Sequence, residues 1–429
     1  MATRHVEVLG GAGADAEVSR GRVHGVPLRR FPYPYRALLS ICSDLDETPD
    51  RQVYFETSRF LNTTENTSMG PGVGLEVGNT IYFDMPADQF SYWNTDDSGR
   101  AMVRALIQSG HIDCLHSYGD FAHSRSHAAR ARDELGRNHC RLEVWIDHAI
   151  APTNFGGDIM QGSGDVPGAA AYHADLSCDS GIQYVWRGRV TSVIGQDAPR
   201  SLSGIFHVRH PFASVKTAAK EWVKGVVAER DTKYAMHGRN HLLREIELRS
   251  GHNVHEFMRC NPHWGGVSRG ETGAGLPEVL THRMLRTLLE RQGVCVLYTH
   301  LGKITNRQQP LGPQSQSALR LLAEYANQGD VLVTTTRRLL GYCRAMRSIA
   351  VTGIMRDGVL SVDLAAASLG SEPGVRRSDL DGLTVYVPAG VRTRLTVNGG
   401  EVDHIHNDVD DTGRPSISLP WKKLAFPSL

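Results

Sequence analysis

Apolar positions along the chain follow two rhythms. Apolar runs at Ala37–Cys42, Thr80–Phe83, Ile112–His116, Leu142–Asp147, Gln183–Trp186, Val254–Arg259, Val294–Thr299 and Val331–Thr334 read as strands, the near-continuous first of them as one covered on both faces. Between them the spacing turns helical, predicting helices over Asp50–Asn62, Ser98–Ser109, His123–Leu135, Ala213–Arg230, Pro277–Arg291, Gln314–Asn327 and Arg337–Arg347. Alternation of buried strands with helices predicts a parallel α/β arrangement, and the strand number fits an irregular (β/α) barrel of about seven to eight strands with insertions. From about Ala350 the grammar changes. Val359–Asp363, Leu383–Val387 and Thr393–Val397 alternate with period two between Gly, Asp and Pro turns. The expected division is a poorly patterned start over 1–28, a barrel over 29–348 and a small antiparallel, β-sandwich-like C-terminal domain over 349–429.

The strand ends carry the candidate chemistry. Leu38-Leu39-Ser40-Ile41-Cys42-Ser43 runs into Asp44-Leu45-Asp46. On an extended chain these two carboxylates point the same way, at the carboxyl end of a strand, where parallel α/β folds place their sites. Two such charges call for a cation or a shared proton. The competing reading is that they cap the helix beginning near Asp50. Three further strand ends finish in polar groups: His116-Ser117-Tyr118-Gly119-Asp120, with His123 and His127 beyond; Asp147-His148, with Asn154 beyond; and Thr299-His300, with Gly302 and Lys303 beyond. A parallel arrangement brings such ends to one rim. Asn154 to Gly168 is a long Gly-rich loop suited to covering a site. Gly70-Pro71-Gly72-Val73-Gly74 leads into a strand rather than a helix and lacks the context of a dinucleotide fingerprint.

The totals narrow the function classes. The 429 residues balance 47 basic against 46 acidic side chains for a net charge of +1, leaving no basic field for a nucleic acid. No apolar run reaches the ~20 residues a bilayer demands, and Met1 to Gly25 lacks the apolar core of a signal peptide, so a cytoplasmic protein without membrane attachment is expected. The seven cysteines lack any Cys-x-x-Cys spacing and read as reduced core thiols.

Order and spacing of the strand-end motifs resemble the polysaccharide deacetylase superfamily, the sugar N-deacetylases of carbohydrate esterase family 4. Ser43-Asp44-Leu45-Asp46-Glu47 stands for that family's T-F-D-D-G, His116-Ser117-Tyr118-Gly119-Asp120 for its H-[ST]-x-x-[HSD], and Val296-Leu297-Tyr298-Thr299-His300 for its late apolar run ending in His. The resemblance covers roughly residues 36 to 345. It implies Asp44 as the base that activates water, Asp46, His116 and Asp120 as metal ligands, and His300 as the general acid. His123 is the alternative third ligand, and the intervening Leu45 leaves ligation by Asp44 open. Asp147 and His148 stand where the family's Arg/Pro motif is expected. Arg259, with His263 and Trp264, stands near its Asp-Trp motif. Asp147, His148, Asn154, Arg259 and Trp264 are thus expected to contact substrate; for Trp264 and Tyr118, stacking on a sugar ring competes with the plainer reading as core or rim aromatics, which Trp264 taken alone favours.

Mixed His/carboxylate ligation suits a divalent metal, Zn²⁺ first, with Co²⁺, Ni²⁺ and Mn²⁺ also compatible. The expected activity is metal-dependent hydrolysis of an N-acyl group on an amino sugar or related small molecule or oligosaccharide; a homo-oligomer is compatible with it. Two other classes stay open: a glycoside hydrolase with Asp147 as nucleophile, and a carbohydrate-binding relative without catalysis. His404 and His406, beside Asp403 and Asp408, read as a solvated turn, a second metal site being the alternative.

Overall fold

In the computed structural model, which describes residues 22–44, 46–366, 369–370 and 374–429, all eight expected strand segments form and join one sheet. That sheet has eleven strands. In spatial order ten of them are Leu243–Glu247, Asn253–Phe257, Tyr184–Trp186, Val144–Ile146, Ile112–His116, Asn79–Ile81, Ala37–Ser43, Val294–Thr299, Arg259–Cys260 and Val190–Thr191; Val331–Val333 pairs with the lower half of Ala37–Ser43. Every pairing is parallel except the hairpin of Leu243–Glu247 with Asn253–Phe257. The two-sided burial inferred for Ala37–Ser43 is met by two cores. Ala37, Leu39 and Ile41 pack with Phe60, Leu285, Leu288 and Leu319 of the flanking helices, whereas Leu38 and Cys42 turn to Val144, Tyr184, Val296 and Leu339.

The expected barrel is corrected to a curled half-barrel, because the ladder does not close. Asn253–Phe257 pairs with Tyr184–Trp186, and one residue later Arg259–Cys260 pairs with Val294–Thr299 and Val190–Thr191. Met258 thus carries the chain between the two arms of the sheet without a ladder bond joining them. The expected helix Pro277–Arg291 is two helices, Leu276–Val279 and His282–Glu290, since the Thr281 hydroxyl accepts from Met284 N at 3.2 Å and opens a new helix there.

The C-terminal region is mixed rather than purely antiparallel. Val359–Ala366 pairs antiparallel with Ile349–Arg356 and parallel with Arg392–Val397, because the intervening chain crosses over through the short strand Thr384–Tyr386 before returning. Part of the stretch 1–28 is built into this region: Arg22–His24 pairs with Ile349–Arg356 and Leu28 bridges Val385, while residues 1–21 lie outside the described residues. A three-stranded antiparallel sheet of Thr384–Tyr386, Ser416–Ser418 and Ile405–Asn407 completes it. All seven cysteines are free, and among the described residues no helix is long and apolar enough to cross a membrane.

Candidate metal centre

Parallel register sets the site. Ser43 pairs with Thr299, so Asp44 and His300 leave adjacent strands at one level, and Asp44 N donates to Thr299 O at 2.9 Å. Ile81 pairs with Leu115 and His116 with Ile146, which brings Tyr82, His116 and the Asp147-His148 end to the same rim. The turn after His116 is tight: Ser117 has φ +46°, and Gly119, at φ +104°, approaches the Asp84 backbone so closely that an added Cβ would lie 2.1 Å from its carbonyl oxygen.

Asp46, His116 and His148 each present a donor atom to one small space, the three atoms lying within 4.8 Å of one another. Asp46 Oδ1 is 3.8 Å from His116 Nε2 and 3.7 Å from His148 Nδ1. Donors around a tetrahedral ion at about 2.0–2.1 Å stand about 3.3 Å apart, so these separations need to close by only about half an ångström. The donor set, two imidazole nitrogens and a carboxylate, suits a divalent transition metal. His116 Nδ1 is buried without a hydrogen-bond partner, leaving Nε2 as the nitrogen turned to the carboxylates. Tyr82 stacks on the His116 ring, its hydroxyl donating to Asp46 Oδ1 and standing 3.0 Å from His148 Nδ1.

The third donor is therefore His148, where Asp120 or His123 was expected. Asp120 sits outside it, Oδ1 3.1 Å from His148 Nε2, the placement of a carboxylate that orients a ligating imidazole. His123 is exposed and outside the group. Asn154, expected at substrate, is buried and fixes the His148 backbone instead: its Oδ1 accepts from His148 N at 2.9 Å and its Nδ2 donates to His148 O at 3.0 Å. The loop behind it is clamped by buried Asp165, which accepts from Arg249 Nε at 2.9 Å.

Asp44 is 2% exposed and gripped from below by Arg259, itself fully buried: Nη1 donates to Oδ2 at 2.7 Å and Nη2 to Oδ1 at 2.9 Å. The guanidinium lies 4.1 Å over the Trp186 ring. Burial alone would raise the Asp44 carboxyl, but Arg259 and then His116 overcome it and hold the group well below the ordinary carboxylate range. Arg259 is thus withdrawn from substrate; it positions Asp44. His300 Nε2 stands 3.4 Å from Asp46 Oδ2 and 3.9 Å from Asp44 Oδ2. Burial opposes its charge, yet the bond to Asp46 and the two carboxylate charges raise it above the usual imidazole value. Asp46, also lifted by burial, is brought far below the usual range by that bond and by His116 and His148. Capping of the following helix falls to Asp50, whose Oδ1 accepts from Gln52 N and Val53 N at 2.9 Å each. Asp44 and Asp46 are left to the site.

Three remaining expectations are corrected. Asp147 is completely buried, and its oxygens accept from Trp145 Nε1 at 2.7 Å and from Phe155 N and Gly156 N at 2.8 Å; burial lifts its pKa to about 7. It is a loop anchor with no path to a sugar. Trp264 stacks on His210, centroids 3.7 Å apart, in a separate cleft lined also by His207, Arg209 and Arg283. Tyr118 is buried against Trp145 and His173. Tyr82 escaped the sequence reading because it sits inside an apolar run; its one signal is its place at a strand end.

No protein-family model matches the chain, and neither a curated protein nor a solved structure is significantly similar to it.

Proposed function

We propose that the chain is a metal-dependent hydrolase that removes an N-acyl group from an amino sugar or related carbohydrate-like molecule. One observation carries this reading: the Asp46–His116–His148 donor set adjoins both a buried carboxylate, Asp44, 3.3 Å from His116 Nε2, and a histidine, His300, 3.4 Å from Asp46 Oδ2. A divalent cation, Zn²⁺ first, held by those three donors supplies Lewis acidity that polarises a carbonyl and makes water more acidic. Asp44, kept deprotonated by Arg259, takes the proton of the attacking water. His300, whose charged form Asp46 and Asp44 favour, gives a proton to the departing amine. Tyr82, whose hydroxyl burial and the nearby Asp46 hold well above its usual pKa, stays a neutral donor that fixes Asp46.

The amide reading is preferred over glycoside cleavage because Asp147 anchors the loop backbone at Phe155 and Gly156, whereas Asp44 adjoins the donor set at His116. Incubation of the metal-loaded protein with N-acetylated mono- and oligosaccharides tests it. Acetate and free amine are expected without new reducing ends; new reducing ends without acetate would replace the proposal with a glycosidase.

A further inference from the structure

The helix Pro211–Val227 is turned inside out. Its buried positions are Ser214, Thr217 and Glu221, and its exposed face carries Phe212, Val215, Trp222, Val223 and Val226. Seven of the twelve large apolar side chains exposed among the described residues fall between Phe206 and Val226. The helix cannot roll to bury them, since its inner face is bonded in place. Thr217 Oγ1 donates to Trp264 O at 2.8 Å, Glu221 accepts from Thr191 Oγ1 at 2.7 Å, and Ser214 Oγ accepts from His207 N at 2.9 Å. A contiguous apolar patch of this kind on a helix marks an interface.

We infer that this face pairs with the same face of a second copy of the chain, the two helices running antiparallel about a two-fold axis near Ala219. The spacing supports a helical partner: Phe212, Val215, Ala219, Trp222 and Val226 recur at alternating intervals of three and four, the seam of a coiled coil. Area supports a stable pair. The exposures run from 44% at Phe206 to 90% at Phe212. At about 150–250 Å² for a fully exposed side chain the five on the helix leave on the order of 500 Å² of apolar surface per copy, and Phe206 and Val208 just before it extend the patch toward the ~800 Å² each partner of a standard interface contributes. Complementarity supports identity of the partner. Two-fold pairing about Ala219 sets bulky Phe212 against the smaller Val226 of the second copy. At the ends, exposed Arg209 meets Glu229.

Sedimentation velocity of the full chain over roughly 1–100 μM, the weak end of the range for such an interface, is expected to show a dimer. Trp222→Glu should weaken it by about 100-fold or more while leaving the circular dichroism unchanged. Ala219→Cys, at the axis, should give a covalent dimer on mild oxidation, which wild type and Lys220→Cys do not. A wild-type monomer throughout the range, a dimer indifferent to Trp222→Glu, or a monomer that instead floats with anionic phospholipid vesicles would overturn the inference.

Discussion

Replacing Arg259 by Met removes the guanidinium that grips Asp44 from below. The pair is dry, with side-chain exposures of 0% and 2%, and it is bidentate at 2.7 and 2.9 Å. Removing one partner of such a pair strands the other charge and costs about 3–5 kcal/mol; the lost stacking over Trp186 adds up to about 2 kcal/mol. The cost has a pH signature. In wild type Asp44 is depressed, so its stabilisation is present above the unfolded carboxylate pKa and is lost as pH falls through and below it. In Arg259→Met the buried carboxyl is raised instead, so the variant is penalised above the unfolded pKa and released below it. The gap between the two proteins is therefore full at neutral pH and narrows in acid. Denaturant unfolding of both proteins at neutral and acidic pH measures this. Adding Asp44→Asn to Arg259→Met should recover most of the loss at neutral pH. A gap below about 1 kcal/mol at neutral pH, or no recovery in the double variant, would refute the reasoning.

His300→Gln should retain metal and lose turnover by about 10²–10⁴-fold, measured as acetate release; unchanged turnover removes the acid role. Asp147→Asn should cost about 1–3 kcal/mol in denaturant unfolding, because an amide nitrogen would face backbone N–H donors, with no change in which bond is cut. Burial lowers His173 to about 4 from its usual 6.5, so the unfolded chain binds the extra proton first and stability falls as pH drops from about 6.5 to 4. The loss is about 3 kcal/mol, and a His173→Gln variant should show a correspondingly flatter pH dependence of its unfolding midpoint.

Strand positions were legible because two-sided burial leaves an unbroken apolar run, as in Ala37–Ser43 and Val294–Thr299, and parallel pairing then fixes that their ends share a rim. Asp44, Asp46, His116 and His300 follow from that alone. The break in the ladder at Met258 was not legible, since nothing in Val254–Arg259 distinguishes one strand from two with different partners. Nor was the division of labour between Asp120 and His148: both follow strand ends, and their places depend on the turn at Ser117 and Gly119 and on the Asn154 bonds to the His148 backbone. Arg259 was visible as a polar residue after an apolar run, but its role depends on a partner 215 positions away. The spacing over Ala213–Arg230 predicts the helix found at Pro211–Val227, but which face turns inward depends on hydrogen bonds to distant segments.

Metal content of the purified chain, by elemental analysis after dialysis, bears most directly on the centre. About one divalent ion per chain is expected, with binding abolished in Asp46→Asn, His116→Ala and His148→Ala and weakened by about 10–100-fold in Asp120→Asn, whose carboxylate only orients His148. A chain that binds no ion, or one whose ion survives His148→Ala and disappears with Asp120→Asn, contradicts the assignment.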